Sequence, residues 1–250
     1  MKKGDIMILD NSFPREIKSV QEKNIPLVIV GGTVEYHGPH CSYGCDTLVA
    51  EGLVELLAKE KDLMIAPKIS YSPSSYAVGG RKSGTVHVPE RAFEDYVYYV
   101  FKSMLHSGFR NIYVVIHHQF EQESEMPMTL CYRTAAKRAT MEYLEETLGE
   151  GWWGSENYAN YYQELEGANN PFSWIKVVPT MSTEVQNATG YDHAGKYECS
   201  ILMSLYPDCV KLDRIDEVKH WFTESARGAS KELGDEMIKL SLEHLRKIIK

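Results

Sequence analysis

Short apolar runs alternate with longer amphipathic stretches along most of this chain, which is the pattern of strands separated by helices. The strand-like runs are Leu27 to Val30, Leu63 to Pro67, Asn111 to Ile116 and Trp174 to Val178. Helical spacing of apolar residues follows in segments that begin after Asp46, at Pro89, near Glu125, at Ala194 and near Asp216. Such alternation favours an α/β fold, in which helices cover both faces of a mainly parallel sheet.

The bulk composition fits one globular domain and argues against two classes of partner. With 250 residues, 43% of them hydrophobic, the chain can bury a sizeable core, so we expect a single domain over residues 1–250. The net charge is −8, and the basic residues form no run longer than a pair, so we expect no nucleic-acid partner. No run reaches the roughly 18 apolar residues of a transmembrane helix, so we expect no membrane partner.

The chain has five cysteines, an odd number, and no Cys-x-x-Cys spacing. A disulfide framework is therefore not expected, and a reducing compartment such as the cytoplasm fits better. Cys41 and Cys45 have a spacing that zinc ligands can use, although two small side chains in a loop explain it more simply. The apolar run before Asp10 has only four residues, which is too short for a signal peptide.

The loop over residues 30–47 combines four potential metal ligands, Glu35, His37, His40 and Asp46, with four glycines. It follows a strand-like run, and open α/β sheets place their chemistry in loops at the C-terminal ends of strands. Glu35 and His37 are two residues apart, which places them on the same side of an extended backbone. Carboxylate and imidazole suit zinc, manganese or iron(II), so we interpret this loop as a metal site. The simpler alternative for Asp46 is a helix cap.

Two further segments offer side chains to the same edge of the predicted sheet. His117 and His118 end a strand-like run, and the C-terminal ends of parallel strands share one edge. Only one of two consecutive histidines would normally face a site, and the residues themselves leave open which one. His193 and Glu198 flank a glycine turn at the start of a helix, an arrangement similar to the first loop. The simpler alternative for Glu198 is a carboxylate favoured by the helix dipole.

These segments resemble the signature of the creatininase (creatinine amidohydrolase) family. Glu35-Tyr-His-Gly-Pro-His40 and Gly44-Cys-Asp-Thr47 are similar to the family pattern Glu-Gln-His-Gly-Pro-His-Leu-Pro-Leu-Gly-Thr-Asp-Thr. Three further matches follow in the same order along the chain. They are Ser83-Gly-Thr-Val-His87, then Gly108 to His118, which is similar to a strand ending in Asn-Gly-His, and His193-Ala-Gly-Lys-Tyr-Glu198, which is similar to His-Ala-Gly-x-x-Glu.

The resemblance implies a three-layer α/β/α fold with a mainly parallel central sheet, and a homo-oligomer, often a hexamer. It also implies two divalent metal ions in each active site, which we expect to be zinc, manganese or iron. The implied metal ligands are Glu35, His37, Asp46, His118 and Glu198. In this match Asp46 bridges the two ions, His193 corresponds to a histidine implicated in proton transfer, and Glu198 counts as a catalytic residue as well.

The chain departs from the family pattern in ways that leave two questions open. One is which residues after the strand ending at Ile116 bind metal, and the other is which substrate is used. The family's Asn-Gly-His is Ile116-His117-His118 here, so His117 is a rival ligand to His118. Phe120 stands where creatininase itself has a metal-binding glutamate, and Glu121 follows it. Either Glu198 supplies that carboxylate, or the backbone shifts by one residue.

We expect a metal-dependent hydrolase that opens a small cyclic substrate, with creatininase-like cleavage of an amide C–N bond. The ions would polarise the carbonyl and lower the pKa of a water from ~15.7 towards ~7, and His193 would protonate the leaving group. The candidate substrate-binding residues are Tyr36, His40, Trp153 and Trp174. The two tryptophans belong to an aromatic-rich segment after Gly149, which would be either a lid over a flat ring or a subunit contact.

Two alternatives to cyclic-amide hydrolysis stay open from the sequence. One is ring-opening C–C hydrolysis of an inositol-derived cyclic diketone, of the 3-dehydro-scyllo-inosose type, which needs the same carbonyl polarisation. Tyr36 and Tyr43 replace family residues and favour this alternative. The other is a metal-binding module without catalysis, which would bind metal and show no turnover.

Overall fold

A five-stranded sheet surrounded by helices forms the fold in this computed structural model, which describes residues 6–118 and 126–250. The strands are β1 (Met7–Ile8), β2 (Leu27–Gly31), β3 (Met64–Ile65), β4 (Ile112–Ile116) and β5 (Ile175–Pro179). The α-helices are α1 (Pro14–Glu22), α2 (Cys45–Glu60), α3 (Glu90–Ser107), α4 (Pro127–Leu148), α5 (Thr183–Thr189), α6 (Lys196–Leu205) and α7 (Lys231–Ile248). Short 3₁₀ turns fill much of the chain between α4 and β5 and between α6 and α7.

The sheet has the strand order β1-β3-β2-β4-β5, and every neighbouring pair is parallel. Gly31 at the end of β2 is in register with Ile116 at the end of β4, which is in register with Pro179 at the end of β5. The segments that follow these three strands therefore leave the sheet at the same edge, which is where the predicted metal ligands lie. The mainly parallel sheet predicted from the sequence is confirmed.

Two apolar cores lie on opposite faces of the sheet, because successive strand residues point to opposite sides. Val28 and Val115 face a core shared with α2, α6 and α7, whereas Ile29 and Val114 face a core shared with α3 and α4. All residues of β2 and β4 are buried, which explains why these strands read as continuous apolar runs. The predicted three-layer α/β/α architecture is confirmed.

Three elements were not predicted from the sequence, namely β1, α1 and α5. A local signal for α1 was present, because Pro14 occupies its first turn and the carboxylate of Glu16 accepts a hydrogen bond from the Phe13 backbone N–H at 2.8 Å. Strand β1 has only two residues and α5 only seven, so neither carries a full period of hydrophobic spacing.

Two predicted helices begin later in the chain than expected. The stretch from about Asp216 to Lys250, predicted as one or two helices, contains a 3₁₀ helix over Trp221–Gly228 and then α7, which starts at Lys231. Ser230 caps α7 by accepting a hydrogen bond from the backbone N–H of Leu233 at 3.2 Å. The helix predicted to begin near Glu125 starts at Pro127, and Glu125 itself lies outside the described residues. Within the described ranges, no helix is long and apolar enough to cross a membrane.

Candidate metal centre

The loop after β2 returns closely against the start of α2. A side-chain carbon added at Gly32 would lie 2.7 Å from the Cα atom of Thr47, so only glycine allows this approach. The hydroxyl of Thr47 donates to the carbonyl of Thr33 at 3.1 Å, and the backbone N–H of Glu35 donates to the carbonyl of Tyr43 at 3.0 Å. These bonds hold both ends of the loop against the first turn of α2.

Asp46 lies in the first turn of α2 and does not cap the helix. The N-cap residue is Gly44, and the helix begins at Cys45. The carboxylate of Asp46 is only 2% exposed, so it is held inside the protein between the loop and the sheet edge. The prediction that Asp46 could be a simple cap is wrong, and its burial calls for a positively charged partner.

Glu35, Asp46 and His118 form one group of potential ligands. Nδ1 of His118 lies 3.3 Å from Oε2 of Glu35 and 3.4 Å from Oδ2 of Asp46, and all three side chains are buried. A ligand atom from each residue lies within 4.8 Å of the other two.

His37 lies near the same oxygen of Asp46 and also near Glu198, and its two neighbours define a second group. Nε2 of His37 lies 3.6 Å from Oδ2 of Asp46 and 3.5 Å from Oε2 of Glu198. Nδ1 of His37 lies 3.0 Å from the carbonyl oxygen of Glu35, and since a carbonyl only accepts, Nδ1 carries the proton. The lone pair of Nε2 is therefore turned towards the two carboxylates, as in a metal-binding imidazole.

The position of Glu198 is fixed by the turn that precedes α6. Both carboxylate oxygens of Asp192 accept backbone N–H groups of α6, from Tyr197 and from Glu198, at 3.1 Å each. The backbone N–H of Ala194, which has a left-handed φ of 53°, donates to Oε2 of Glu198 at 2.6 Å. This hydrogen bond turns the Glu198 carboxylate back over the start of its own helix.

These donor atoms fit two divalent ions that share Asp46. The separations of 3.3–3.6 Å between them are longer than ordinary hydrogen bonds. Metal–ligand bonds of about 2.1 Å at a tetrahedral angle place neighbouring ligand atoms about 3.4 Å apart. Nε2 of His37 is also fully buried without a hydrogen-bond partner among the described residues.

The electrostatics of the cluster favour added positive charge. Burial alone would raise the pKa of Asp46, but the neighbouring His118 and His37 outweigh it, so the pKa lies below its usual range. Burial and the charge of Asp46 raise the pKa of Glu198 well above its usual value. Glu198 therefore favours its neutral form unless a cation lies nearby.

His117 and His118 both reach the site, so the expectation that only one of them would face it is wrong. Strand β4 ends at Ile116, and the strict alternation of side chains ends with it. Nδ1 of His117 is hydrogen-bonded to the hydroxyl of Thr180 at 2.9 Å, and its Nε2 lies 3.6 Å from Oε1 of Glu198. Burial lowers the pKa of His117 to about 4.

The family resemblance left open whether Phe120 or Glu121 approaches the site. Both residues lie outside the part of the chain that the structure describes.

His193 stands beside the second group of ligands. Its ring centre lies 4.2 Å from that of His37, and its Nε2 lies 3.0 Å from the carbonyl oxygen of Tyr36. That carbonyl can only accept, so Nε2 carries the proton and Nδ1 remains an acceptor. Burial, followed by the proximity of His37, lowers the pKa of His193 to about 4.

A cavity of about 160 Å³ opens onto both ligand groups. Glu35, Asp46, His118 and Glu198 line it together with His117 and His193. Its walls include residues that sequence reasoning missed, namely Val78, Met181, Gln186, Tyr191 and Tyr197. Tyr197 lies within the segment from His193 to Glu198 and Tyr191 lies just before it, so both could have been singled out there. Gln186 lies on the unpredicted helix α5 and gave no local signal.

Comparison with known proteins identifies the family of this chain. A model of the family described as creatininase (creatinine amidohydrolase) matches residues 14–249. The chain belongs to the creatininase family. Membership places it among the metal-dependent hydrolases.

Solved creatininase structures share the fold at low sequence identity. A crystal structure of creatinine amidohydrolase matches with a TM-score of 0.73 and 17% identity, over 100% of this chain and 97% of that chain. A structure described as creatininase with Mn matches with a TM-score of 0.71 and 16% identity, over 98% of this chain and 99% of that chain. A Zn–Zn form of a mutant creatininase gives a TM-score of 0.69 and 17% identity, over 97% and 98% of the two chains. A comparison with curated protein sequences found no match.

Tyr36 and His40, two of the predicted substrate-binding residues of this creatininase-family chain, lie beside the cavity. Neither lines it in the part of the chain that the structure describes. Nε2 of His40 donates to the carbonyl of Ala194 at 2.9 Å, which ties the first loop to the turn before α6. The hydroxyl of Tyr36 is hydrogen-bonded to Nε2 of His220 at 3.1 Å. Both placements suit support of the site better than contact with a substrate.

Trp153 and Trp174, the other two predicted substrate-binding residues, lie away from the cavity within one chain. Trp174 immediately precedes β5. Because β5 runs parallel to β4, it begins at the edge of the sheet opposite to the one that carries the predicted metal ligands. Its ring stacks on the guanidinium of Arg110, whose carbon lies 4.6 Å from the ring centre. Trp153 is 50% exposed and lines a separate groove with Tyr161 and Tyr162. Among the described residues, the predicted aromatic lid does not cover the ligand groups.

Proposed function

We propose that this chain is a two-metal hydrolase that opens a small cyclic substrate by cleaving an amide C–N bond, in the manner of creatininase. The observation that carries the proposal is the shared oxygen of Asp46. Its Oδ2 lies 3.4 Å from Nδ1 of His118 and 3.6 Å from Nε2 of His37, so one carboxylate serves two ligand groups. The adjoining cavity of about 160 Å³ suits a single small ring.

The ligands divide into two positions that share Asp46. Glu35, Asp46 and His118 form the first position, and His37, Asp46 and Glu198 form the second position. Divalent ions bound there supply Lewis acidity, which polarises a carbonyl and lowers the pKa of a water from ~15.7 towards ~7. The zinc and manganese forms of structurally similar creatininases support these metals as candidates.

His193 moves the proton in this proposal. Because its Nε2 donates to the carbonyl of Tyr36, its Nδ1 is the atom that accepts a proton from the attacking water. The same atom then delivers the proton to the leaving nitrogen as the C–N bond breaks. The hydrogen bond to Tyr36 fixes the tautomer, so the ring does not need to turn between the two steps.

Glu198 has a structural and a chemical role in the proposal. The N–H of Ala194 holds its Oε2 beside His37, while Oε1 faces His117 at 3.6 Å. The carboxylate therefore fixes the second position and orients the water that His193 deprotonates.

A second candidate reaction, C–C ring opening of an inositol-derived cyclic diketone, is favoured by the polar part of the cavity wall. Gln186, Tyr191 and Asp192 line the cavity, and their side chains carry the amide, hydroxyl and carboxylate groups that a hydroxylated ring would meet. A cyclic amide such as creatinine has no hydroxyl groups to match them.

A substrate screen tests these proposals. The metal-loaded protein would be mixed with creatinine, other cyclic amides and oxidised inositols, and ring opening followed by NMR. Turnover of a cyclic amide supports the first candidate, and turnover of a cyclic diketone alone replaces it with the second. Bound metal without turnover of any ring would leave a metal-binding module and overturn both reactions.

We also propose that the chain forms a homo-oligomer, with a hexamer as the expected assembly. The support is an exposed aromatic surface formed by Trp153, Tyr162 and Phe172, since aromatic residues are enriched at interfaces. Trp153→Ala is expected to weaken association in analytical ultracentrifugation, and Phe13→Ala, at an exposed site outside this surface, is the control. A higher KM of Trp153→Ala without loss of assembly would instead favour the lid predicted from the sequence.

A further inference from the structure

Cys45 is the first residue of α2 and is completely buried beside the shared Asp46. Its Sγ atom, a ring nitrogen of His37 and a carboxylate oxygen of Glu198 all lie within 4.8 Å of one another. The residue at this place in the family pattern is threonine, which offers no thiol. Cys45 is therefore a feature of this chain and not of the shared motif.

A second observation points into the same place. Nε2 of His37 is fully buried, and the part of the chain that the structure describes offers it no hydrogen-bond partner. Its lone pair faces Asp46 and Glu198 at 3.6 and 3.5 Å, with the thiol of Cys45 close by. Donor atoms of His37, Cys45 and Glu198 thus lie within 4.8 Å of one another, and Oδ2 of Asp46 lies 3.6 Å from the same histidine.

We propose that Cys45 is a fourth protein ligand of the second position, where it binds as a thiolate. The proposal rests on the two-metal function proposed above and names the metal preference of one position. When an ion binds, the sulfur–metal bond forms and the thiol proton leaves to solvent. Thiolate is a soft ligand that suits zinc, whereas manganese prefers oxygen ligands. The second position therefore selects zinc over manganese.

A fourth protein ligand also gives the two metal positions different roles. A zinc ion with four protein ligands is closed, whereas a catalytic ion keeps an open place. The first position has three ligands, Glu35, Asp46 and His118, and faces the cavity. The substrate carbonyl is accordingly bound at the first position, and the second position holds its ion tightly.

The simpler alternative is that Cys45 stays a protonated thiol, since the neighbouring thiol of Cys41 and burial raise its pKa well above the usual value. Spectroscopy of the cobalt(II)-substituted protein separates the two. A thiolate bound to cobalt(II) gives a charge-transfer absorption band in the near ultraviolet, and a protonated thiol gives none. We expect the band in the wild-type protein and its loss in Cys45→Ser.

The matched control is Cys131→Ser, which alters a buried thiol on α4 that donates to the carbonyl of Glu90 at 3.5 Å, outside the ligand groups. It should keep the full band. A wild-type protein that binds cobalt(II) without the band overturns the proposal, and this measurement stands even if Cys45→Ser fails to fold.

Competition between zinc and manganese gives an independent readout. Cys45→Ser should lower the preference for zinc by at least about 10-fold, the low end of what outer ligand partners contribute. An unchanged preference in a folded Cys45→Ser protein overturns the proposal. Metal binding and turnover without a thiolate band would remove Cys45 from the site and leave the proposed function intact, whereas absence of metal binding would remove both.

Discussion

Nε2 of His37 lies 3.5 Å from Oε2 of Glu198, although the two residues belong to opposite halves of the chain. His37 is carried by the loop after β2, and Glu198 by the first turn of α6. The second ligand position exists only when these two segments meet at the sheet edge. Metal binding is therefore coupled to the folded arrangement of both halves.

Removal of the ions is expected to lower stability as well as activity. The buried carboxylates of Glu35, Asp46 and Glu198 lose their counter-charge when a chelator takes the metal. An ion present at 100 times its Kd stabilises the folded state by about 2.7 kcal/mol, which corresponds to roughly 5–10 °C in Tm for a chain of this length. Calorimetry before and after dialysis against a chelator measures the shift, and metal analysis should give about two ions per chain.

The control for metal removal is Glu60→Gln. Glu60 forms an exposed ion pair with Arg246 at 2.7 Å. It is the last residue of α2, whereas the ligand Asp46 lies in the first turn of that helix. Such exposed pairs contribute about 0–1 kcal/mol, so the metal content should not change. Equal melting temperatures with and without chelator would contradict the prediction.

His118 and His117 are expected to differ in metal content when each is replaced. His118→Gln removes Nδ1 from the group with Glu35 and Asp46, so the ion at the first position should be lost together with activity. His117→Gln should keep both ions, because His117 belongs to none of the ligand groups found among the described residues. Metal analysis of the two purified variants measures the difference, and the reverse result would make His117 the ligand.

His193→Gln should reduce kcat by about 10²–10⁴-fold, the usual contribution of a positioned acid–base group. The metal content should stay at the wild-type value if His193 acts in proton transfer alone. The distinction matters because His193 also lies within ligand distance of Glu35 and His37. Loss of an ion in the variant would show that His193 is a ligand. His87→Gln, which alters a histidine bound to the backbone N–H of Ser75, is the matched control with unchanged kcat.

Gly32→Ala is expected to displace the start of α2. The added carbon would lie 2.7 Å from the Cα atom of Thr47, a contact that only a backbone shift can relieve. Such overpacking costs about 1–3 kcal/mol, and a shift here moves Asp46 away from both histidines. Denaturation and metal analysis should both detect the change.

Gly44→Ala is the matched control for Gly32→Ala in the same loop. The nearest atom to its added carbon belongs to Leu48 at 3.6 Å, an ordinary contact, and its φ of −91° suits any residue. This variant should keep wild-type stability and metal content. Equal losses in both variants would mean that the loop tolerates no substitution, for reasons other than the contact with Thr47.

Much of the fold could be predicted from local pattern because β2 and β4 are buried on both faces. Their runs Leu27–Gly31 and Ile112–Ile116 therefore contain no charged residue, and α3 between them buries apolar residues at helical spacing. The two-residue strand β1 and the seven-residue helix α5 were missed because elements this short carry too little pattern.

The chemical groups that this site can use follow from the residue types in a few short segments of the chain. Glu35, His37, Asp46, His193 and Glu198 could be singled out because carboxylates, imidazoles and glycines coincide in loops that follow strands. Tertiary structure alone decided how they combine. Strand register brings the ends of β2 and β4 together, and the irregular backbone after Ile116 turns both histidines inwards.

Tertiary structure also decided two matters that residue types did not reveal. It placed Trp174 at the sheet edge opposite the ligands, because β5 runs parallel to its neighbour and begins at that edge. It brought the thiol of Cys45 next to His37 and Glu198. Side-chain direction at the end of a strand, and contacts between distant segments, depend on the packing of the whole chain, so no local pattern could specify them.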